Sequence, residues 1–222
     1  MIIKVCGMTE AANIHEVAAL GVNWIGMVFY PPSPRYVKMI PSQAGIIPDR
    51  ANPDNDSAIA GCKRVGVFVD TMPQDIITRA VNFRLDFIQL HGHETPTLIR
   101  NLRATLHQDI RPGIQFIKAF SIKTADDLKQ CEAYEGVADY FLFDTRCPQS
   151  GGSGQQFDWS ILDTYQGHTP FLLSGGIGPG DADRIKSLRL PMMAGIDLNS
   201  RFETAPGIKD VQLLQTFINQ LA

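Results

Sequence analysis

Residues 140–154 read Tyr140-Phe141-Leu142-Phe143-Asp144-Thr145-Arg146-Cys147-Pro148-Gln149-Ser150-Gly151-Gly152-Ser153-Gly154. An apolar run ends in a carboxylate, and a glycine-rich loop follows at once. A strand that delivers an acid to its C-terminal tip, next to bare backbone N–H groups, suits acid catalysis beside a phosphate. Taken alone, the stretch also reads as an ordinary β-turn with a capping Asp. A second cluster, Ser174-Gly175-Gly176-Ile177-Gly178, again follows an apolar run. Two such loops in succession shift the reading from turn toward site.

Working outward, short β-rich apolar runs recur at residues 2–6, 24–29, 64–69, 86–90, 116–120, 140–144, 171–174 and 194–198. Helical candidates lie between them at 9–20, 73–82, 95–106, 124–133, 159–165, 180–188 and 210–221. The first begins at Thr9 as a cap and turns Ala12, Val17, Ala18 and Leu20 to one side. The second opens with Pro73 in its first turn. Eight strand–helix units predict an α/β fold, a (β/α)₈ TIM barrel forming a single domain over 1–222. A doubly wound open sheet uses the same units, but eight regular ones in 222 residues favour closure. One unit is irregular: residues 31–61 hold six of the 14 prolines and the polar run Asp49-Arg50-Ala51-Asn52-Pro53-Asp54-Asn55-Asp56. A regular second helix is hard to place there. Lacking apolar periodicity, this segment is expected to be the most mobile part of the fold and a partial lid.

Hydrophobic residues make up 44% of the chain and charged residues 19%, enough to bury a large core. A net charge of −3 argues against nucleic acid or an anionic membrane as the main partner, since both call for a basic surface. An anionic small ligand is still compatible, because helix termini can hold it. The cysteines Cys6, Cys62, Cys131 and Cys147 form no C-x-x-C pair and no zinc spacing with histidine, so neither a disulfide framework nor a metal site is expected. Residues 1–7 read as a strand, too short for a signal segment, and no apolar run approaches the ~18 residues of a membrane span. A cytoplasmic location is the expectation. Monomer and homodimer both stay open.

In such barrels the chemistry sits at the C-terminal strand tips, and a phosphate often binds at the loops after strands 7 and 8. Those tips carry Cys6-Gly7, the turn Ser33-Pro34-Arg35-Tyr36, His91-Gly92, Asp144, Ser174-Gly175-Gly176 and Asp197-Leu198-Asn199-Ser200. Cys6 can serve as base or nucleophile, its thiolate favoured by Lys4 on the same strand face, or it is simply a buried small residue. Asp144 can be an acid whose pKa is raised by enclosure, or a cap. Arg35, stiffened by its prolines, can clamp a carboxylate with a paired N–H fork, or lie in solvent. His91 can shuttle protons or bond the backbone. Arg201 can face a phosphate or water.

Together these residues resemble the phosphoribosylanthranilate isomerases of tryptophan biosynthesis, over nearly the whole chain. Lys4-Val5-Cys6-Gly7-Met8-Thr9 is similar to that family's opening motif, and Ser33-Pro34-Arg35-Tyr36-Val37 to its S-P-R loop. Val65-Gly66-Val67-Phe68-Val69 and Gln89-Leu90-His91-Gly92 resemble its third and fourth strands. Phe143-Asp144-Thr145, Gly151-Gly152-Ser153-Gly154 and Phe157-Asp158-Trp159 resemble its sixth unit. Ser174-Gly175-Gly176-Ile177 and Gly195-Ile196-Asp197, with Ser200, Glu203, Pro206-Gly207 and Lys209-Asp210, resemble the last two. Ser153 stands where the family usually has Thr, Asn199 replaces one of a usual Ser-Ser pair, and Arg201 a usual Gly.

The resemblance implies Amadori rearrangement of the small molecule N-(5-phospho-β-D-ribosyl)anthranilate. It implies Cys6 as base, Asp144 as acid, and Arg35 at the anthranilate carboxylate. It also implies further substrate contacts at His91, Gly152, Ser153, Gly154, Gly175, Gly176, Asp197, Asn199 and Ser200. The phosphate is expected on backbone N–H groups of Gly154, Gly176 and Ser200. The substrate's own iminium is the electron sink, so neither cofactor nor metal is expected. A sister isomerase of histidine biosynthesis would need an aspartate where this chain has Cys6. A non-enzymatic phosphate-binding barrel is the remaining alternative.

Overall fold

The computed structural model describes residues 1–38, 61–145 and 158–222. Eight parallel strands follow one another around a closed barrel: β1 (Ile2–Val5), β2 (Trp24–Val28), β3 (Lys63–Phe68), β4 (Phe87–Leu90), β5 (Gln115–Ile122), β6 (Tyr140–Thr145), β7 (Phe171–Leu173) and β8 (Met193–Leu198). β8 pairs with β1, setting Lys4 opposite Asp197, so the ring closes and an open sheet is excluded. The expected runs fall on these strands, with ends shifted by a residue or two.

Five α-helices are described: α1 (Ala11–Ala19), α2 (Pro73–Asn82), α3 (Pro96–Asp109), α4 (Ala182–Ser187) and α5 (Val211–Leu221). α2 starts on its proline, where a missing N–H costs nothing. The Thr95 hydroxyl accepts from the Leu98 N–H at 3.3 Å to cap α3, and the Asp210 carboxylate accepts from Leu213 at 2.9 Å to cap α5. After β5 and β6 the covering segments, Ala125–Tyr134 and Trp159–Thr164, are 3₁₀ rather than α.

α1 corrects the sequence reading. Its cap position is Glu10, without a side-chain bond, because the Thr9 hydroxyl is used elsewhere. It buries Val17 and Ala18 as expected and leaves Leu20 partly buried, but Ala12 is exposed, and Asn13 and Ile14 are buried in its place. Asn13 is held by a neighbour that periodicity could not show. After β8, a 3₁₀ turn at Ser200–Phe202 leads into an antiparallel hairpin, β9 (Glu203–Ala205) and β10 (Ile208–Lys209). The Gly207 carbonyl accepts from both the Thr9 N–H (3.2 Å) and the Thr9 hydroxyl (3.1 Å). Asn13 and Lys209 exchange two further bonds, of 2.9 and 2.7 Å. The hairpin is thus fastened to the first turns of the chain after β1.

Side chains alternate inward and outward along each strand. Toward the N-terminal end the barrel is filled by Trp24, Val65, Phe87, Ile117, Ala119, Leu142 and Leu172. The Trp24 ring lies 4.2 Å from that of Phe87 and 5.2 Å from that of Tyr140. This plug excludes water from below, so polar groups collect at the other mouth. A second apolar layer, including Val5, Ile25, Phe68, Phe141, Phe171 and Phe217, joins strands to helices.

Two sequence expectations fall outside the described residues. Most of the irregular unit, 39–60, is one. The loop 146–157, with Gly152, Ser153 and Gly154, is the other.

Candidate active site

Lys4 and Cys6 lie two residues apart and both turn to the inside of the C-terminal mouth. Lys4 is fully buried, and its Nζ donates to Asp197 Oδ1 at 2.8 Å. Burial opposes its charge, yet the Asp197 carboxylate and the Cys6 sulfur hold its pKa above that of an ordinary lysine. Burial pushes the Cys6 thiol up, while Lys4, and more weakly Lys209, pull it back down. Gly26 on β2 makes the room for this sulfur: a Cβ there would sit 2.6 Å from Cys6 Sγ and 3.0 Å from its Cα. The Cα directly follows β1 and is held by the Cys6 N–H bond to the Leu198 carbonyl at 2.9 Å, so it has little room to retreat. Gly26→Ala is therefore expected to cost about 1–3 kcal/mol of stability by overpacking. It should also lower kcat more than it raises KM, read from thermal unfolding and steady-state kinetics. A fully active, equally stable alanine variant would mean the sulfur's position is not critical.

Arg35 is buried against the same mouth. The turn that carries it is tied down, with the Val37 N–H donating to the Val28 carbonyl at 2.9 Å and the Arg35 N–H to the Ser33 hydroxyl at 3.1 Å. Its Nε donates to both Glu203 oxygens (2.9 and 3.1 Å) and its Nη2 to Glu203 Oε2 (2.6 Å). The fork expected to clamp a carboxylate holds Glu203 of the chain itself, and these bonds tie down the Arg35 end of segment 31–61. Nη1 has no partner among the described residues and is the edge that remains. Glu203 also accepts from Lys209 Nζ at 2.6 Å, and Lys209 Nζ donates to Asn199 Oδ1 at 2.8 Å. The two cations hold the Glu203 pKa down against its burial. Gly7, with φ +75°, lets this group close on Cys6, since a Cβ would meet Arg35 Cδ at 2.5 Å and Asn199 Oδ1 at 2.7 Å.

On the other side of the mouth, Asp144, next to last in β6, lies half-buried, its Oδ2 3.4 Å from His91 Nε2. His91 Nδ1 is 3.0 Å from the Gln89 amide nitrogen. Contact with that amide orients the ring, so His91 faces the acid instead of bonding the backbone. Between the two sides stands Asp197. Burial and the charge of Asp144 push its carboxyl up, with Lys4 pulling against them. Ser174 Oγ lies 3.5 Å from Asp197 Oδ2. Carboxylate, thiol, ammonium and imidazole therefore face one cavity end, which can deliver a proton from one side and take one on the other.

Of the loops expected to hold an anion, those following β7 and β8 are described at this mouth. Gly175 and Gly176 take left-handed backbone (φ 87° and 69°) directly after Ser174, a conformation that turns successive N–H groups to one side. Ser200 opens the 3₁₀ turn after β8. The exposed Arg201 packs over Gly178, its Cδ 3.0 Å from where a Cβ would be. Asn199 turns its side-chain oxygen to Lys209, on the Cys6 side. Among the described residues no cluster of three or more His, Cys, Asp or Glu side chains could hold a metal ion. Sequence reasoning assigned no role to Glu203 or Lys209. The only signal was their place in the motif after Ser200.

The site can be set beside known proteins. The family model described as N-(5'phosphoribosyl)anthranilate (PRA) isomerase matches residues 3–220. An N-(5'-phosphoribosyl)anthranilate isomerase of Parabacteroides distasonis is 48% identical over 221 residues, covering 100% of this chain and 93% of that protein. The fold is similar to the crystal structure of phosphoribosyl anthranilate isomerase from Thermus thermophilus, with a TM-score of 0.79, 27% identity, and coverage of 100% of this chain and 98% of that one. It is also similar, with a TM-score of 0.75, 28% identity and coverage of 100% and 98%, to a phosphoribosyl anthranilate isomerase solved with reduced 1-(o-carboxyphenylamino)-1-deoxyribulose 5-phosphate. A match over almost every residue, on a barrel that places Cys6 and Asp144 at one mouth, leaves a single assignment: the chain belongs to the N-(5'-phosphoribosyl)anthranilate isomerase family.

Proposed function

We propose that the chain catalyses the Amadori rearrangement of N-(5'-phosphoribosyl)anthranilate to 1-(2-carboxyphenylamino)-1-deoxyribulose 5-phosphate, with Asp144 as general acid and Cys6 as general base. The observation that carries this reading is the placement of the two groups. They flank one mouth, with Asp197 between them, bonded to Lys4 beside the thiol and within the field of Asp144.

Asp144 gives its proton to the ribose ring oxygen. The C1–O bond breaks toward that oxygen, and the nitrogen lone pair forms the iminium. Cys6, as thiolate, takes the C2 proton, and the C–H electrons neutralise the iminium to give an enolamine. A proton then reaches C1, the O2 proton leaves, and the ketone forms, so the overall change is an isomerisation. Arg35 offers its Nη1 edge to the anthranilate carboxylate, oriented by Glu203. The phosphate rests on the backbone of Gly154, Gly176 and Ser200, where little side-chain charge is needed. That a related isomerase was solved with a reduced form of this product supports the same ligand here.

The test is an activity assay on the purified chain. The anthranilate fluorophore changes emission on turnover, so a continuing change with excess substrate supports the reading. A plateau at one equivalent would identify a binding protein, and no change at all a different substrate. Arg35→Met is expected to remove a charged hydrogen bond made in ground and transition states alike. Such a bond carries about 1.5–3 kcal/mol, or roughly 10–100-fold in KM, with little change in kcat at a pH where Cys6 is ionised in both proteins. An unchanged KM would place the carboxylate elsewhere.

A further inference from the structure

The hairpin brings a buried lysine to the thiol. Lys209 is fully buried, and its Nζ is fixed by Glu203 Oε1 (2.6 Å) and Asn199 Oδ1 (2.8 Å). Asn199 Oδ1 and the Arg35 side chain both press on Gly7, the residue after Cys6. We propose that Lys209 is an electrostatic positioning residue for the base, a second ammonium beside Lys4 that stabilises the Cys6 thiolate, with Glu203 setting how much of its charge reaches the sulfur. The inference rests on Cys6 being the base of the proposed reaction.

The charges around the thiol support this. Among the described residues, Lys4 acts on it from β1, Asp197 from β8, Lys209 from the hairpin and Arg35 from the turn after β2, with Glu203 bonded to the last two. Val28 and Val67 pack against it from β2 and β3, with the half-buried Tyr30 beside them. Asp144 and His91 act from across the mouth on Asp197. Three cations meet two carboxylates, so the cluster holds one positive charge in excess while Cys6 is a thiol. Ionising the thiol cancels it. At the moment of C2 proton removal the substrate's iminium and its aryl carboxylate cancel each other, and the thiolate still has its matching cation. Without Lys209, Lys4 would be offset by Asp197 and Arg35 by Glu203, leaving the thiolate unmatched in a buried place. A lysine needed only to close the hairpin would show none of this dependence, because any residue satisfying Glu203 and Asn199 would serve.

The experiment follows the ultraviolet absorbance of the thiolate against pH, taken as the difference between each protein and its Cys6→Ser counterpart. Removing a cation disfavours the anion, so Lys209→Met should move the Cys6 midpoint up. Lys209→Arg keeps the charge and should restore it. Glu203→Gln removes a negative charge and should move the midpoint down. The ascending limb of kcat/KM against pH should shift in the same directions. Equal midpoints in the parent, Lys209→Met and Glu203→Gln overturn the inference, and either variant alone decides if the other does not fold. The titration needs no substrate. If the midpoints move as stated but the parent does not turn over the anthranilate substrate, the proposed reaction fails and the role of Lys209 stands.

Discussion

Cys6→Ala is expected to lower kcat by about 10²–10⁴-fold, the range for loss of a positioned base. KM should change little, because the thiol touches a hydrogen that is transferred and not a group that anchors the ligand. The alanine also leaves Lys4 with Asp197 as its counter-ion, at 2.8 Å, so the buried ammonium is not stranded and the fold should survive. The loss should therefore read as chemistry and not as unfolding. Far-ultraviolet circular dichroism and thermal unfolding check the fold, and steady-state kinetics the rate. Cys6→Ser is the sharper companion: its hydroxyl keeps the shape but forms an anion far less readily, so it should stay close to alanine in rate. Near-parental turnover in either variant would remove the thiolate from the mechanism.

Asp144→Asn should be as severe, for a different reason. The amide keeps the shape and can still meet the His91 ring, now 3.4 Å from the carboxylate, but it cannot hand over a proton and return to charge. Ring opening would then depend on water, and kcat should drop by about 10²–10⁴-fold. A discriminating measurement uses substrate already open at C1. If acid catalysis of ring opening is what has been lost, a pre-opened imine analogue should be isomerised by the Asn variant at near the parental rate. Equal impairment on closed and open substrates would assign Asp144 to a later proton transfer.

Much of the architecture could be read from the chain because β-rich runs and amphipathic spans alternate at regular spacing, and each run is near the length of a strand. Cys6, Arg35, His91 and Asp144 stood out because turns and tips mark themselves with glycine, proline and a break in the apolar pattern. What could not be read depends on partners far apart in sequence. Nothing local says that Lys4 pairs with Asp197, or that the fork of Arg35 closes on Glu203. The hairpin escaped notice because strands of three and two residues are too short to show alternation. The cap of α1 was misplaced for the same cause, since Thr9 reads as a helix cap until Gly207 claims its hydroxyl.

The seam where β8 meets β1 has a consequence for how the protein forms. The acid half of the mouth is made by residues closer in sequence, with Gln89 on β4, His91 directly after it and Asp144 on β6. The base half joins positions separated by 193 residues at Lys4–Asp197 and by 196 at Asn13–Lys209. Contacts of such high sequence separation carry a large loop-closure entropy and belong to the late, slow steps of assembly. As the chain leaves the ribosome, α2, α3 and the middle strands can gather while the Cys6 thiol still lacks its cations. The Lys4–Asp197 side of the mouth is completed only when β8 and the hairpin dock, so the base proposed at Cys6 would gain its charged neighbours with the last piece of the barrel.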